Sequence, residues 1–86
     1  MSSDKNRGAI ASEVARLVRE GRVKRNLSLN VFAKRAGLSR QMVSYVEQEE
    51  RNPSLETLLR IADILEIPLD TIIRRARLAA AKRLLK

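Results

Sequence analysis

The sequence predicts an all-α domain of five helices, and three observations lead there. The hydrophobic fraction is 44%, yet only Phe32 and Tyr45 are aromatic, a composition suited to a helical core of Leu, Ile, Val and Ala rather than to a β-sandwich. Apolar residues recur at helical spacing along most of the chain. Between those stretches stand a left-handed-tolerant residue, a glycine or a proline-containing loop, and three of the stretches are preceded by a serine able to cap them. At 86 residues the chain has room for one small core.

The elements follow in order. Ile10, Val14, Leu17 and Val18 set the spacing of a first helix over 8–25, with Arg16, Arg19, Arg22 and Arg25 largely between them. It is expected to stop near Asn26, which tolerates the left-handed conformation used after helix ends. Ser28 is placed to cap a second helix from Leu29 to Ala36, with Phe32, Ala33 and Ala36 inward and Gly37 closing it. Ser39 is placed to cap a third, running to about Glu47, with Val43 and Val46 inward. Arg40, Gln41, Ser44 and Tyr45 then face out. After the loop QEERNP, Ser54 caps a fourth helix whose apolar set is Leu55, Leu58, Leu59, Ile61, Ala62 and Leu65. A fifth begins near Leu69, with Asp70 in the first turn where negative charge complements the helix dipole. In domain terms the expectation is a flexible N-terminal arm over 1–8, the folded domain over 9–74, and a basic helical extension over 75–86.

Charge placement narrows the partner. The formal charge of +8 divides into +7 over residues 1–46, −4 over 47–66 and +5 over 67–86. Two basic segments flanking an acidic one make an electrostatic footprint for a polyanion, and nucleic acid is the leading expected partner; a merely solvated basic surface is the bland alternative. With no cysteine and no histidine the chain lacks thiolate ligands, the commonest metal ligand and the commonest general base, so neither a metal, a cofactor nor an enzyme activity is expected. Ser39, Ser44 and Tyr45 have no histidine to activate them. No run is long enough for a membrane span and MSSDKNRGAI lacks the apolar core of a signal peptide, so a cytoplasmic protein with no membrane partner is expected. The sequon Asn26-Leu27-Ser28 is read as chance in such a chain.

Two helices joined by a turn containing Gly describe a helix-turn-helix. The residues that carry the signal are Ala33, small because the third helix crosses close over it, Gly37, able to take positive φ in the turn, and Val43, apolar to hold the third helix on the second. Phe32, Ala36, Leu38 and Val46 support them. The stretch LSLNVFAKRAGLSRQMVSYVEQEERNPSLETLLRIADILEIPLDTII resembles the phage repressor and Cro type of helix-turn-helix domain, the Xre-like family of bacterial and phage regulators, over roughly residues 10–73.

That resemblance implies double-stranded DNA as the partner, with the third helix entering its major groove and the second lying across the backbone. Arg40, Gln41, Ser44 and Tyr45 fall on base-facing positions, Arg51 and Asn52 on the loop that approaches phosphates, and Ser39 and Asn30 on the two helix starts that do the same. Arginine donates a bidentate pair to guanine O6 and N7, and glutamine pairs with adenine N6 and N7 or braces a neighbouring side chain. The counterpart of Glu47 in the family pairs with an arginine of the first helix, here Arg22. Ile72, Ile73 and Ala76 are expected to finish the core. Relatives often dimerise through the fifth helix, which makes Ile72, Leu78, Leu84 and Leu85 the expected homodimer contact, against a frayed helix or a membrane-surface helix as alternatives.

Three positions depart from the pattern. Leu29 stands where the family usually has a phosphate-contacting Gln, leaving backbone N–H groups and Asn30 to substitute. Glu49 stands where a left-handed Gly is common, and Glu50 beside it adds negative charge near the DNA backbone. Gly21 stands where a large apolar residue is usual, with Phe32 expected to fill the vacated space. The expected function is a sequence-specific transcriptional regulator, a repressor acting on a two-fold symmetric operator as a dimer. The alternative is an antitoxin or adaptor that keeps the same fold for a protein partner.

Overall fold

The structure, a computed structural model, describes residues 3–85, with side chains from Asn6 onward. Five helices make up the all-α fold: α1 Ser3–Lys24, α2 Leu29–Ala36, α3 Arg40–Glu47, α4 Leu55–Leu65 and α5 Leu69–Leu84. The described residues contain no strand.

Three of the five helices start in the same way. Ser28, Ser39 and Ser54 hold extended backbone, and each Oγ accepts the backbone N–H three residues on, from Val31 at 3.2 Å, Met42 at 3.0 Å and Thr57 at 3.1 Å. Each bond satisfies one of the donors a helix start leaves without an intrahelical partner. Four ends share one device as well. Asn26, Gly37, Glu49 and Glu66 follow α1 to α4 with φ between 56° and 70°. In each case the next residue's N–H reaches back to the carbonyl five residues earlier: Leu27 to Arg22, Leu38 to Ala33, Glu50 to Tyr45 and Ile67 to Ala62, at 2.9–3.2 Å. This is the Schellman closure, which takes up carbonyls the helix end would otherwise leave open. Glycine adopts that conformation without steric cost, whereas a glutamate does so at about 1–2 kcal/mol. Glu49 therefore keeps the loop shape expected of a glycine and carries the strain.

The core gathers Val14 and Val18 of α1, Phe32 and Ala33 of α2, Val43 and Val46 of α3, Ile61, Ala62 and Leu65 of α4, and Ile72 and Ala76 of α5. Phe32, Val43, Ile61 and Ala76 have no exposed surface. The largest interface joins α1 and α5, which run antiparallel: Gly21 near the end of α1 meets Leu65 just before α5, and Glu13 meets Arg83 near the end of α5. α3 packs on α1, α4 packs on both helices of that pair, and α2 packs on α3 and α4.

Three expectations change. α1 begins at Ser3, so residues 3–8, expected as an arm, are its first turns; Met1 and Ser2 lie outside the described residues. Leu55 and Leu59, placed in the inward set of the fourth helix, are exposed, because α4 needs only the stripe of Leu58, Ile61, Ala62 and Leu65 to meet the core. The space beside Gly21 is filled by Leu65 rather than by Phe32: a Cβ at Gly21 would lie 2.8 Å from Leu65 Cδ2. The fifth helix is extended as expected: α5 continues unbroken past residue 74 to Leu84 and buries Ala76 and Ala80.

Candidate nucleic-acid interface

The turn between α2 and α3 is fixed from three sides. Gly37 has φ 70°, and its N–H and that of Leu38 close the end of α2. Leu38 packs half-buried on the core, and Ser39 opens α3 at once. Arg60 of α4 reaches across to place its guanidinium 3.4 Å from the Ala36 carbonyl, with Glu56 bracing the same side chain. Ala33 and Val43 are both buried at the crossing of α2 and α3. The two helices are thereby held at a set angle by residues that leave the outer face of α3 unused.

That outer face carries Arg40, Gln41, Ser44 and Tyr45. Arg40 and Gln41 are exposed at the start of α3, and Ser44 and Tyr45 are half-exposed one turn on. They are not independent. Gln41 Nε2 donates to Tyr45 Oη at 2.5 Å, and the Arg51 guanidinium stands 4.6 Å from the Tyr45 ring centroid. Gln48 Nε2 donates to Ser44 Oγ at 3.3 Å. Arginine over an aromatic face is attracted by the ring quadrupole, and a side chain already held loses less rotamer entropy on binding. Arg40 has no hydrogen bond or ion pair among the described residues and is free to choose its partner. The i,i+4 spacing of Gln41 and Tyr45 was a readable signal for the first bond; nothing in the sequence pointed to Arg51 over the ring.

The residues assigned to phosphates lie around this face. Asn30 is exposed in the first turn of α2, and Arg51 and Asn52 are exposed in the loop after α3. The Ser39 hydroxyl accepts from Met42 N–H, which leaves its own O–H to donate. Glu49 and Glu50 are exposed in the same loop as Arg51.

Arg22 and Glu47 tie the face to the rest of the fold. Arg22 Nε donates to Glu47 Oε2 at 2.7 Å and Nη2 to Oε1 at 3.0 Å, while Nη1 donates to the Leu27 carbonyl at 2.8 Å. The side chains are 14% and 6% exposed. Hydrogen bonding to Glu47 pushes the Arg22 pKa up, with burial opposing it. It fixes the last turn of α3 against α1 and the loop that leads into α2. Arg25 makes a similar tie that sequence reading missed, donating to the carbonyls of Gly21 and Leu65 and so joining the end of α1 to the end of α4.

The expected dimer residues separate. Ile72 is 3% exposed and spent in the core, because the first turn of α5 must cover α1 and α4; it offers nothing to a second chain. Leu78 and Leu85 are 62% and 86% exposed, and Leu84 is half-buried.

The helix-turn-helix family model matches residues 18–72, the span from the middle of α1 to the first turn of α5. The chain belongs to the helix-turn-helix family. It is similar to a protein of Methanococcus vannielii that carries the provisional name HTH-type transcriptional regulatory protein, with 34% identity over 65 residues. That alignment covers 74% of this chain and 20% of the relative, so the chain spans about a fifth of the relative's length. No helix among the described residues is long and apolar enough to cross a membrane.

Proposed function

We propose that this chain is a sequence-specific DNA-binding domain that acts in transcriptional regulation, with the repressor and Cro type as its nearest pattern. The observation that carries the reading is the outer face of α3: Arg40, without a partner among the described residues, beside a Gln41 held by Tyr45, on a helix locked to its neighbour by Gly37, Ala33 and Val43. Arg40 reads guanine through O6 and N7, and Gln41 reads the neighbouring base. Tyr45 and Ser44 complete the base-facing set, and Asn30, Ser39, Arg51 and Asn52 position the domain on phosphates. Repression follows from occupancy of an operator. The family membership and the relative's name support a regulatory role on DNA.

The exposed Leu78 and Leu85 favour a protein contact on α5, and we assign it to a second copy of the chain. A dimer of this kind sets two recognition helices about 34 Å apart and reads a two-fold symmetric site. The same leucines could serve the partner of an antitoxin or adaptor, and the DNA experiment separates the two. Glu49 and Glu50 oppose the basic field next to Arg51 and lower the attraction of random duplex. Sites of action in the cytoplasm of a bacterial or phage-infected cell accord with this role.

The test is selection from random duplex DNA at near-physiological salt, with the bound pool sequenced. Salt is fixed because a chain of charge +8 retains any duplex at low ionic strength. Recovery of a two-fold symmetric motif is expected. A pool without enrichment would contradict base reading and leave the adaptor role.

A further inference from the structure

Between the first half of α1, the α3–α4 loop and α5 lies a groove of about 530 Å³, within the size range of small-molecule sites. Its floor is apolar, formed by Ile10, Val14, Leu58 and Ile73. Its rim is cationic: Arg51 and Asn52 come from the loop, Arg77 from α5 and Arg7 from α1, against the one carboxylate of Glu49. Arg77 has no ion pair or hydrogen bond among the described residues.

Floor and rim place different demands on an occupant. Bare phosphate would satisfy the arginines and leave the apolar floor in water. A second copy's α5 would cover the floor but bring Lys82 and Arg83 toward an arginine rim. An apolar body ending in one anionic group meets both demands, since arginine recognises carboxylates through charge-assisted hydrogen bonds and the floor gains by losing water.

We propose that this groove binds a small anionic amphiphile, an apolar chain or ring bearing a carboxylate, with Arg77 and Arg51 holding the head and Ile10, Val14, Leu58 and Ile73 the body. Arg51 and Asn52 are also assigned to the DNA backbone, so the ligand and the duplex compete for the same loop. That second part rests on the function proposed above. The first part does not.

Calorimetric titration of the DNA-free chain with decanoate tests the site. One molecule per chain is expected, with decanol binding at least about tenfold more weakly because it lacks the charge. Ala11 lines the groove and is exposed. Ala11→Trp therefore fills the groove without touching the core and is expected to abolish binding at an unchanged melting temperature. Arg77→Gln weakens decanoate by at least about tenfold and leaves decanol unaffected. No binding, equal affinity for decanol, or equal affinity in Ala11→Trp would overturn the site. If decanoate binds and leaves the affinity for duplex unchanged, the competition is overturned and the site stands. If the chain binds no duplex at all, the proposed function fails, and the DNA-free titration still decides the groove.

Discussion

The α2–turn–α3 unit and the α1–α5 pair are built by different rules. In the unit almost every constraint is local. Ser28 and Ser39 cap their own helices, Gly37 turns the chain, and Ala33 and Val43 meet only ten residues apart. In the pair the constraints span the chain: Glu13 meets Arg83, and Gly21 is small because Leu65 occupies the space beside it. Arg22 and Glu47 join the two regions. The unit is thus a preformed angle between helices, and the pair is the platform that keeps it folded and positions it.

Substitutions at the junction and on either side of it should separate those roles. The largest effect is expected from Arg22→Ala, which leaves the Glu47 side chain without its partner at 6% exposure and destabilises by about 3 kcal/mol in urea unfolding. Replacing both partners by apolar residues, Arg22→Met with Glu47→Leu, is expected to restore most of that loss. Equal damage from the double variant would mean that the Leu27 carbonyl bond, not the ion pair, carries the effect.

Gly21→Leu comes next. The position is buried against Leu65, itself only 1% exposed, so the added side chain has no space and overpacking costs about 1–3 kcal/mol, more than the helix-propensity gain of about 1 kcal/mol. A raised melting temperature would show that Leu65 can move aside.

The left-handed helix ends give a matched pair of smaller effects. Gly37→Ala forces a side chain into φ 70° and is expected to lose about 1–2 kcal/mol. Glu66→Gly removes the same strain at the end of α4 and should gain about 1 kcal/mol. If both changes destabilise, the glutamate side chain contributes a contact that outweighs its strain.

The smallest effect is one of pH. The Glu13 carboxyl lies below its ordinary 4.5, chiefly because Arg16 donates to it at 2.7 Å, with Arg83 adding to the shift and burial opposing it. A carboxylate held lower in the folded than in the unfolded chain contributes stability that is present above pH 4.5 and lost as pH falls through its folded value. Glu13→Gln should lower stability slightly at pH 7, leave it unchanged at low pH where the carboxyl is protonated in both states, and so flatten the acid limb of the stability profile. An unchanged acid limb would assign the loss to other carboxylates.

This division also explains what could be read from the sequence. The three serine caps, the left-handed Asn26 and Gly37, and the inward Phe32, Ala33, Val43 and Val46 follow from rules that act over three or four residues, and each was legible. The start of α1 was not, because its first turns carry no apolar periodicity of their own and are helical through to Ser3. Ile72 was assigned to a dimer because an apolar residue on a terminal helix reads the same whether it faces the core or a partner; only the packing of α5 on α1 decides. Leu55 and Leu59 fit a helical stripe broader than the core could use. On the candidate site, the outward set of α3 was legible from periodicity, but the bridge from Gln41 through Tyr45 to Arg51 crosses from a helix to a loop whose path no local rule gives.

The central claim is that Arg40 reads a base from the preformed face of α3. Repeating the random-duplex selection with Arg40→Ala tests it most directly. The account predicts that the recovered motif keeps its symmetry and loses preference at one position in each half-site, with a loss there of about 1–3 kcal/mol. A uniform loss across all sequences would make Arg40 a phosphate contact and would contradict the account.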